Sequence, residues 1–150
     1  MKSQATRFGW IVRIDPGEEI VQTLKSFARD HGVRAGLISG LGAVGETELG
    51  FFVRGPRQYV TRRFEGDYEI GSLTGNFSEL DGQPFPHCHV VIAGEDMVAH
   101  AGHLFRGLVT VTCEVTIVTD PEVLRRVARP DQGFNPIEPS GAASPRTSAD

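Results

Sequence analysis

The chain is predicted to fold as a single α+β domain, with one main helix packed on a mostly antiparallel, curved sheet. Three features of the 150 residues predict this class: one strongly amphipathic helical segment, many short segments of alternating polarity joined by turn sequences, and glycines recurring within apolar runs. A chain of this length can bury a sizeable core. With 39% hydrophobic and 23% charged residues, the composition is typical of a globular domain.

The main helix is predicted over about 16–31. Asp15 can cap it, Pro16 fits the first helical position, and Glu18 can complete a capping box. Gly32 is a natural stop. One apolar stripe at helical spacing consists of Ile20, Val21, Leu24, Phe27 and Ala28. The helix is therefore expected to pack on the sheet.

Strands are predicted on both sides of a turn-rich middle. The N-terminal "RFGWIVRI" alternates in polarity, and further strands are expected at about 47–53, 57–65, 68–77 and 84–93. "MVAHAGHLF" is expected to run back along the last of these. "LVTVTCEVTIV" alternates most clearly, and the side chains expected to face inward are Val109, Val111, Cys113, Val115 and Ile117.

The C-terminal part is predicted to contain a short capped helix followed by a tail. "DPEVLRRVA" indicates the helix. The domain is expected over 1–137. Residues 138–150 have almost nothing to bury and are expected to be disordered.

Composition and local motifs limit the classes of function. No stretch has the length of a transmembrane helix, and the N-terminus lacks a signal-peptide core, so no membrane partner and a cytoplasmic location are expected. Cys88 and Cys113 form no CxxC, which favours free thiols. Because the net charge is −4, the surface as a whole does not attract nucleic acid.

Two local features suggest phosphate binding only weakly. Arginines at 54, 57, 62 and 63 are more simply explained as a solvated edge strand than as a phosphate-binding patch. "GLISGLGAVG" is not a GxGxxG between a strand and a capped helix, and no GK[ST] follows. Its glycines are better explained by bends in a curved sheet.

A group of histidines is the candidate functional site. His87 and His89 are two apart, so a strand places both rings on one face. The turn at 93–96 lets 87–89 oppose 101–103 on the returning strand. His100 and His103 would point to opposite faces of a regular strand, and Gly102 lets the backbone bend at His103. Three imidazoles with a vacant fourth position form an open zinc-type site.

Neighbouring residues leave alternatives open. Glu114 is a candidate outer partner for a ring N–H, while Cys88 should point into the core and is not expected to be a ligand. A cupin barrel also begins its metal motif with HxH, followed shortly by a Glu. Here Glu95 lies slightly too far after His89, and the cupin arrangement lacks an early capped helix. The cupin remains a minor alternative.

Several segments together resemble the plants-and-prokaryotes-conserved (PPC) domain family. They are "PGEEIVQTLKSFARDHGVRAGLISGLGAV", "YEIGSLTGNFSELDGQPFPHCHVVIAGED" and "AGHLFRGLVTVTCEVTI". The similarity covers about residues 7–137. It departs mildly from the family where "GGHL" is replaced by "AGHL".

The resemblance implies a fold, an assembly and a ligand set. It implies a compact α+β domain that forms a homotrimer, stands alone in prokaryotes, and in some relatives binds metal through three histidines. Carried over by motif, these are His87, His89 and His103, with His100 outside the motif. In land plants the domain follows AT-hooks in nuclear DNA-binding proteins. The "RGPR" at 54–57 is not the Arg-Gly-Arg-Pro core of a hook, so DNA binding through a hook is not supported.

Three functions compete. The first is a trimeric regulatory or scaffold protein that binds a divalent transition metal, with zinc favoured. The second is a zinc-dependent enzyme of hydrolase type, with Glu69 or Glu114 as general acid or base for metal-bound water. The third is direct DNA binding through the arginine cluster at 54–63. A protein or small-molecule partner is not named by the sequence.

Overall fold

Seven β-strands and one α-helix follow one another along the chain. A computed structural model of the protein describes residues 1–139. The strands are β1 (Lys2–Thr6), β2 (Gly9–Ile14), β3 (Gly36–Val53), β4 (Gln58–Phe64), β5 (Tyr68–Leu80), β6 (Gln83–Ala93) and β7 (Ala99–Thr119). The helix α1 (Ile20–His31) lies between β2 and β3. β1 was not predicted.

The strands form one antiparallel sheet in the order β1-β2-β7-β6-β5-β3-β4. β3 also pairs with β7, so β3, β5, β6 and β7 close into a ring. The predicted mostly antiparallel sheet with one helix is therefore confirmed for the described residues. β4, which carries Arg62 and Arg63, lies at the sheet edge, as predicted.

The core fills the space between the curved sheet and α1. Its fully buried large side chains include Phe27, Ile20 and Leu24 from the helix, with Phe77 and Ile92 from the sheet. Cys88 and Cys113 are free and buried in this core, as predicted. Burial raises the pKa of both thiols to about 12, so they are neutral at pH 7.

Two predicted strand patterns are wrong in the region where β3 pairs with β7. β3 is one long strand rather than a bent Gly-rich segment followed by a strand at 47–53. Val111 was expected to face inward, but its side chain is 68% exposed. Gly42 pairs with Cys113 and Val44 pairs with Val109, so β7 has three residues where β3 has one. This bulge turns Val111 outward.

The main helix begins at Ile20, four residues later than predicted. The expected bond from the backbone N–H of Asp15 to the Glu18 carboxylate exists, at 2.8 Å. However, Glu18 also pairs with Val109 through the backbone, which holds this segment on β7. Glu19 is therefore the N-cap, and its carboxylate accepts the N–H groups of Val21 and Gln22. Gly32 ends the helix in the left-handed conformation, as predicted.

The helix predicted at 120–128 is wrong. Asp120 accepts a bond from the Glu122 N–H, as a cap would, but the turn does not propagate. The backbone of 124–126 instead pairs with Glu79 at the end of β5. A helix this short has little stability of its own, so these tertiary bonds prevail.

Two further expectations concern the termini and the membrane. The tail predicted to be disordered over 138–150 lies outside the described residues from 140 onward. Between residues 1 and 139 there is no helix with the length and apolar character needed to cross a membrane.

Candidate metal centre

Three histidines converge where β6 meets β7. His87 and His89 project from the same face of β6, and His89 lies opposite His103 in the antiparallel register. The ring centroids of His87 lie 5.3 Å from those of His89 and 4.9 Å from those of His103; the His89–His103 distance is 5.5 Å. The structure thus brings together the three residues that the sequence singled out.

The ligand atoms of the three rings lie only slightly farther apart than they would around a bound zinc ion. One ligand atom from each ring lies within 4.8 Å of the others. An ion equidistant from three atoms at that spacing lies about 2.8 Å from each, compared with about 2.0–2.1 Å for zinc–nitrogen bonds. Side-chain movements of less than about 1 Å each would close that difference.

The protonation states of the rings also fit a metal. Burial, followed by the charge of Arg126 and the neighbouring histidines, lowers the pKa of His87 to about 4. Burial, followed by the charges of His89 and Arg126, lowers the pKa of His103 to about 4. Both rings are therefore neutral at pH 7, which is the form that binds metals. The Nδ1 atom of His103 is buried and has no hydrogen-bond partner among residues 1–139. A coordinated cation would remove that cost, so the donor set fits a metal.

The predicted carboxylate partners lie elsewhere. Glu114 is opposite Leu41, eleven residues along β7 from His103, and Glu69 is opposite Ala43 and Ala93. In the part of the chain that the structure describes, no Asp or Glu joins the three histidines. The His100 ring lies 4.8 Å from the Phe64 ring, tilted by 41°, and is not part of the cluster.

Arg126, rather than the expected carboxylate, is the hydrogen-bond partner of the His87 ring. Its Nη2 lies 3.1 Å from His87 Nδ1 and 2.9 Å from Asn76 Oδ1. Its Nε donates to Ser78 Oγ, and its Nη1 donates to the carbonyl of Asn135, both at 2.7 Å. Because arginine only donates, His87 Nδ1 accepts this bond. Burial lowers the pKa of the Arg126 guanidinium, which nevertheless stays charged at pH 7.

No sequence pattern marks Arg126 as a site residue. It lies in the segment mistaken for a helix, 39 residues from His87 along the chain. Asn76 was equally missed, although it is directly opposite His87 in the β5–β6 register. Pairing β5 with β6 through the "ELDGQP" turn would have been enough to find it.

Residues 1–120 match the family model of the Plants and Prokaryotes Conserved (PCC) domain. The chain belongs to this family, as the PPC resemblance predicted.

Solved structures similar to this chain come from bacteria and archaea. A protein of Bacteroides thetaiotaomicron, provisionally described as DNA-binding, is 32% identical with a TM-score of 0.88, covering 91% of this chain and 96% of its own. A PPC protein of Pyrococcus horikoshii is 28% identical with a TM-score of 0.81, covering 94% and 97%. A metal-containing protein of Archaeoglobus fulgidus is 28% identical with a TM-score of 0.80, covering 92% and 97%. No match was found among curated proteins.

Proposed function

We propose that this chain is a trimeric, metal-binding PCC-domain protein with a regulatory or scaffold role. His87, His89 and His103 hold one divalent transition metal per chain, and zinc is the first candidate because it favours three imidazoles and an open position. The convergence of three rings, two of them neutral at pH 7, carries the proposal. The similar Archaeoglobus protein, described as metal-containing, supports it.

Elemental analysis of purified protein tests the metal site. We expect about one transition metal per chain, and in His103→Ala a metal affinity at least about tenfold lower, because one of three ligands is lost. His100→Ala is the matched control, since this histidine lies outside the cluster. After chelation, added zinc should raise the melting temperature of the wild type. Equal metal content in both variants, or no stabilisation by zinc, contradicts the proposal.

The hydrolase alternative is less well supported. It needs a carboxylate beside the metal, and both Glu69 and Glu114 lie at other places in the sheet. Arg126 hydrogen-bonds to the cluster, and a guanidinium is not a general base. The scaffold or regulatory role is therefore preferred.

DNA binding is a second candidate, supported by the description of the Bacteroides protein. The basic surface proposed for it is the arginine cluster on and before β4, and much of that cluster is engaged. Arg57 bonds the carbonyl of Asp131, Arg62 lies over the Phe64 ring, and Arg63 pairs with Glu48. Anisotropy of a labelled duplex at low and moderate salt tests this. No signal at low salt, or one that Arg54→Ala and Arg62→Ala leave unchanged, excludes DNA binding by this surface.

A further inference from the structure

A cavity of about 390 Å³ opens directly beside the histidine cluster. Its volume lies within the ~300–1,000 Å³ usual for small-molecule sites. His87, His103 and Arg126 form the polar part of its lining. The remaining wall is largely aromatic, formed by Phe52, Tyr59, Phe85, Phe105 and Phe134.

The aromatic wall is continuous with the cluster. The Tyr59 ring lies 5.2 Å from the His103 ring and 5.1 Å from Phe105, while Phe52 lies 5.6 Å from Phe134. Gly133, next to Phe134, packs directly on the β3–β4 turn, because a Cβ at this position would lie only 2.0 Å from the Arg57 carbonyl oxygen. This close packing holds Phe134 in the wall. A ligand body in this cavity contacts ring faces and edges.

Arg126 brings a positive charge to the cavity with no negative partner. Its four hydrogen bonds all go to neutral acceptors, and among residues 1–139 it forms no ion pair. A guanidinium has five N–H donors, so one remains for a ligand. The side chain is half-buried and stacks over Phe85 at 5.0 Å. A partly desolvated charge of this kind favours an anionic partner.

Metal binding at His87 would free a second donor of Arg126. His87 Nδ1 now accepts from Nη2. If Nδ1 binds the metal, its lone pair is used; if Nε2 binds, Nδ1 carries the proton. In either case the ring stops accepting from Arg126. The metal-loaded protein therefore offers two guanidinium N–H groups, which suit the two oxygens of a carboxylate.

From these observations we propose that the cavity binds a small carboxylate with an aromatic or apolar body. The carboxylate is held by Arg126 beside the metal position, and the body lies against the wall of Phe52, Tyr59, Phe85, Phe105 and Phe134. The coupling to metal rests on the proposed metal function; the pairing of Arg126 with a carboxylate does not.

Calorimetric titration of the full chain with three probes tests the ligand class. 3-Phenylpropionate should bind at least about tenfold more tightly than its uncharged amide, because only the acid forms charge-assisted bonds with Arg126. It should also bind more tightly than propionate, which lacks the ring. Removing the metal should weaken binding of the acid without abolishing its advantage over the amide. An amide or propionate that binds as well as the acid overturns the proposal.

Variants of the cavity assign the binding to named residues. Arg126→Met should lose at least about tenfold in affinity for 3-phenylpropionate. Arg129→Met is the matched control, because Arg129 is exposed on the same segment and pairs with Glu138; its affinity should stay within about twofold of wild type. Unchanged binding in Arg126→Met contradicts the proposal.

A second variant and a metal-free preparation allow the proposal to be refuted even if Arg126→Met does not fold. If Arg126→Met does not fold, Phe134→Ala serves instead: this ring is 44% exposed, and its loss should weaken the acid several-fold with metal content unchanged. Binding unaffected by Phe134→Ala then overturns the assignment. If no preparation holds metal but the acid still binds through Arg126, the metal function fails and the carboxylate pocket stands.

Discussion

At the scale of single residues, the contact between Arg126 and His87 defines the chemistry of the site. Burial, together with the Arg126 cation beside the ring, disfavours the imidazolium of His87 and lowers its pKa. The ring is therefore kept in its metal-binding form over the physiological pH range. Arg126 also hydrogen-bonds to Asn76 and Ser78 on β5. The 124–126 segment and the strands β5 and β6, which are distant from it in sequence, therefore meet at this one side chain.

The depressed pKa values of His87 and His103 predict that acid destabilises the metal-free protein. In the unfolded chain the rings gain protons near pH 6.5, whereas in the fold they do so near pH 4. Between these values the unfolded state binds more protons than the fold. The contribution of the two rings to the free energy of unfolding is therefore fully present above about pH 6.5 and decreases as the pH falls toward 4.

Urea unfolding in chelator between pH 4.5 and 8 measures this slope. Replacing both rings, as His87→Gln with His103→Gln, should flatten it, and His100→Gln should not. If the double variant and wild type lose stability in parallel on acidification, the two rings are not the titrating groups. The difference between variants removes the contribution of carboxylates, which titrate in all of them.

At the scale of elements, the close packing of β5 against β6 positions the histidine strand. Gly75 lies beneath it: a Cβ at this position would lie 2.2 Å from the backbone oxygen of His87 and 3.0 Å from the Cys88 sulfur. β6 can therefore hold its present place only if residue 75 has no side chain. A similar close approach is absent at Gly71 on the same strand, where the nearest atom lies 3.9 Å away.

Gly75→Ala is expected to displace His87 and weaken metal binding. Overpacking of this kind typically costs about 1–3 kcal/mol of folding stability. We expect that loss, together with reduced metal content, in Gly75→Ala. Gly71→Ala, the control, should change stability by less than about 1 kcal/mol and keep the metal. Denaturant unfolding and elemental analysis measure both effects, and equal behaviour of the two variants would show that the contact is unimportant.

Also at this scale, Glu19 links the helix to the sheet. Its carboxylate caps α1 and accepts the backbone N–H of Gly107 on β7 at 3.0 Å. One side chain thus sets the start of the helix and its position over the sheet. This explains why Glu19, and not the Asp15 favoured by sequence, is the cap.

At the scale of the whole molecule, one sheet face carries exposed apolar side chains. Leu37 is 55% exposed and Leu41 is 58% exposed on β3, and Val118 lies opposite Leu37 on β7. Ile11 on β2 extends the same strip. Apolar surface of this kind on a sheet favours coverage by another subunit, which agrees with the proposed homotrimer.

Sedimentation or light scattering tests the assembly. A trimer of 16.3 kDa chains has a mass of about 49 kDa. Leu37→Lys should shift the mass toward that of the single chain, because a charge would be buried at the interface. Val98→Lys, at an exposed turn position after β6, should leave the mass unchanged. A wild-type mass near 16.3 kDa would exclude the trimer.

The sequence by itself determined the class of fold and the pairing of His87 with His89 on one strand face, while the choice of His103 over His100 came from the family resemblance. The stripe of α1, the alternation along the strands and the turn between β6 and β7 are local patterns, and a two-residue period necessarily places His87 and His89 together. Tertiary structure alone decided the bulge at Val111, the extended 124–126 segment, and the meeting of Arg126 with His87 and an aromatic wall. Arg126 contacts His87 and Asn76, which lie 39 and 50 residues away in sequence, and the bulge arises where β3 pairs with β7. No local periodicity encodes such contacts, because they arise only when distant segments pack.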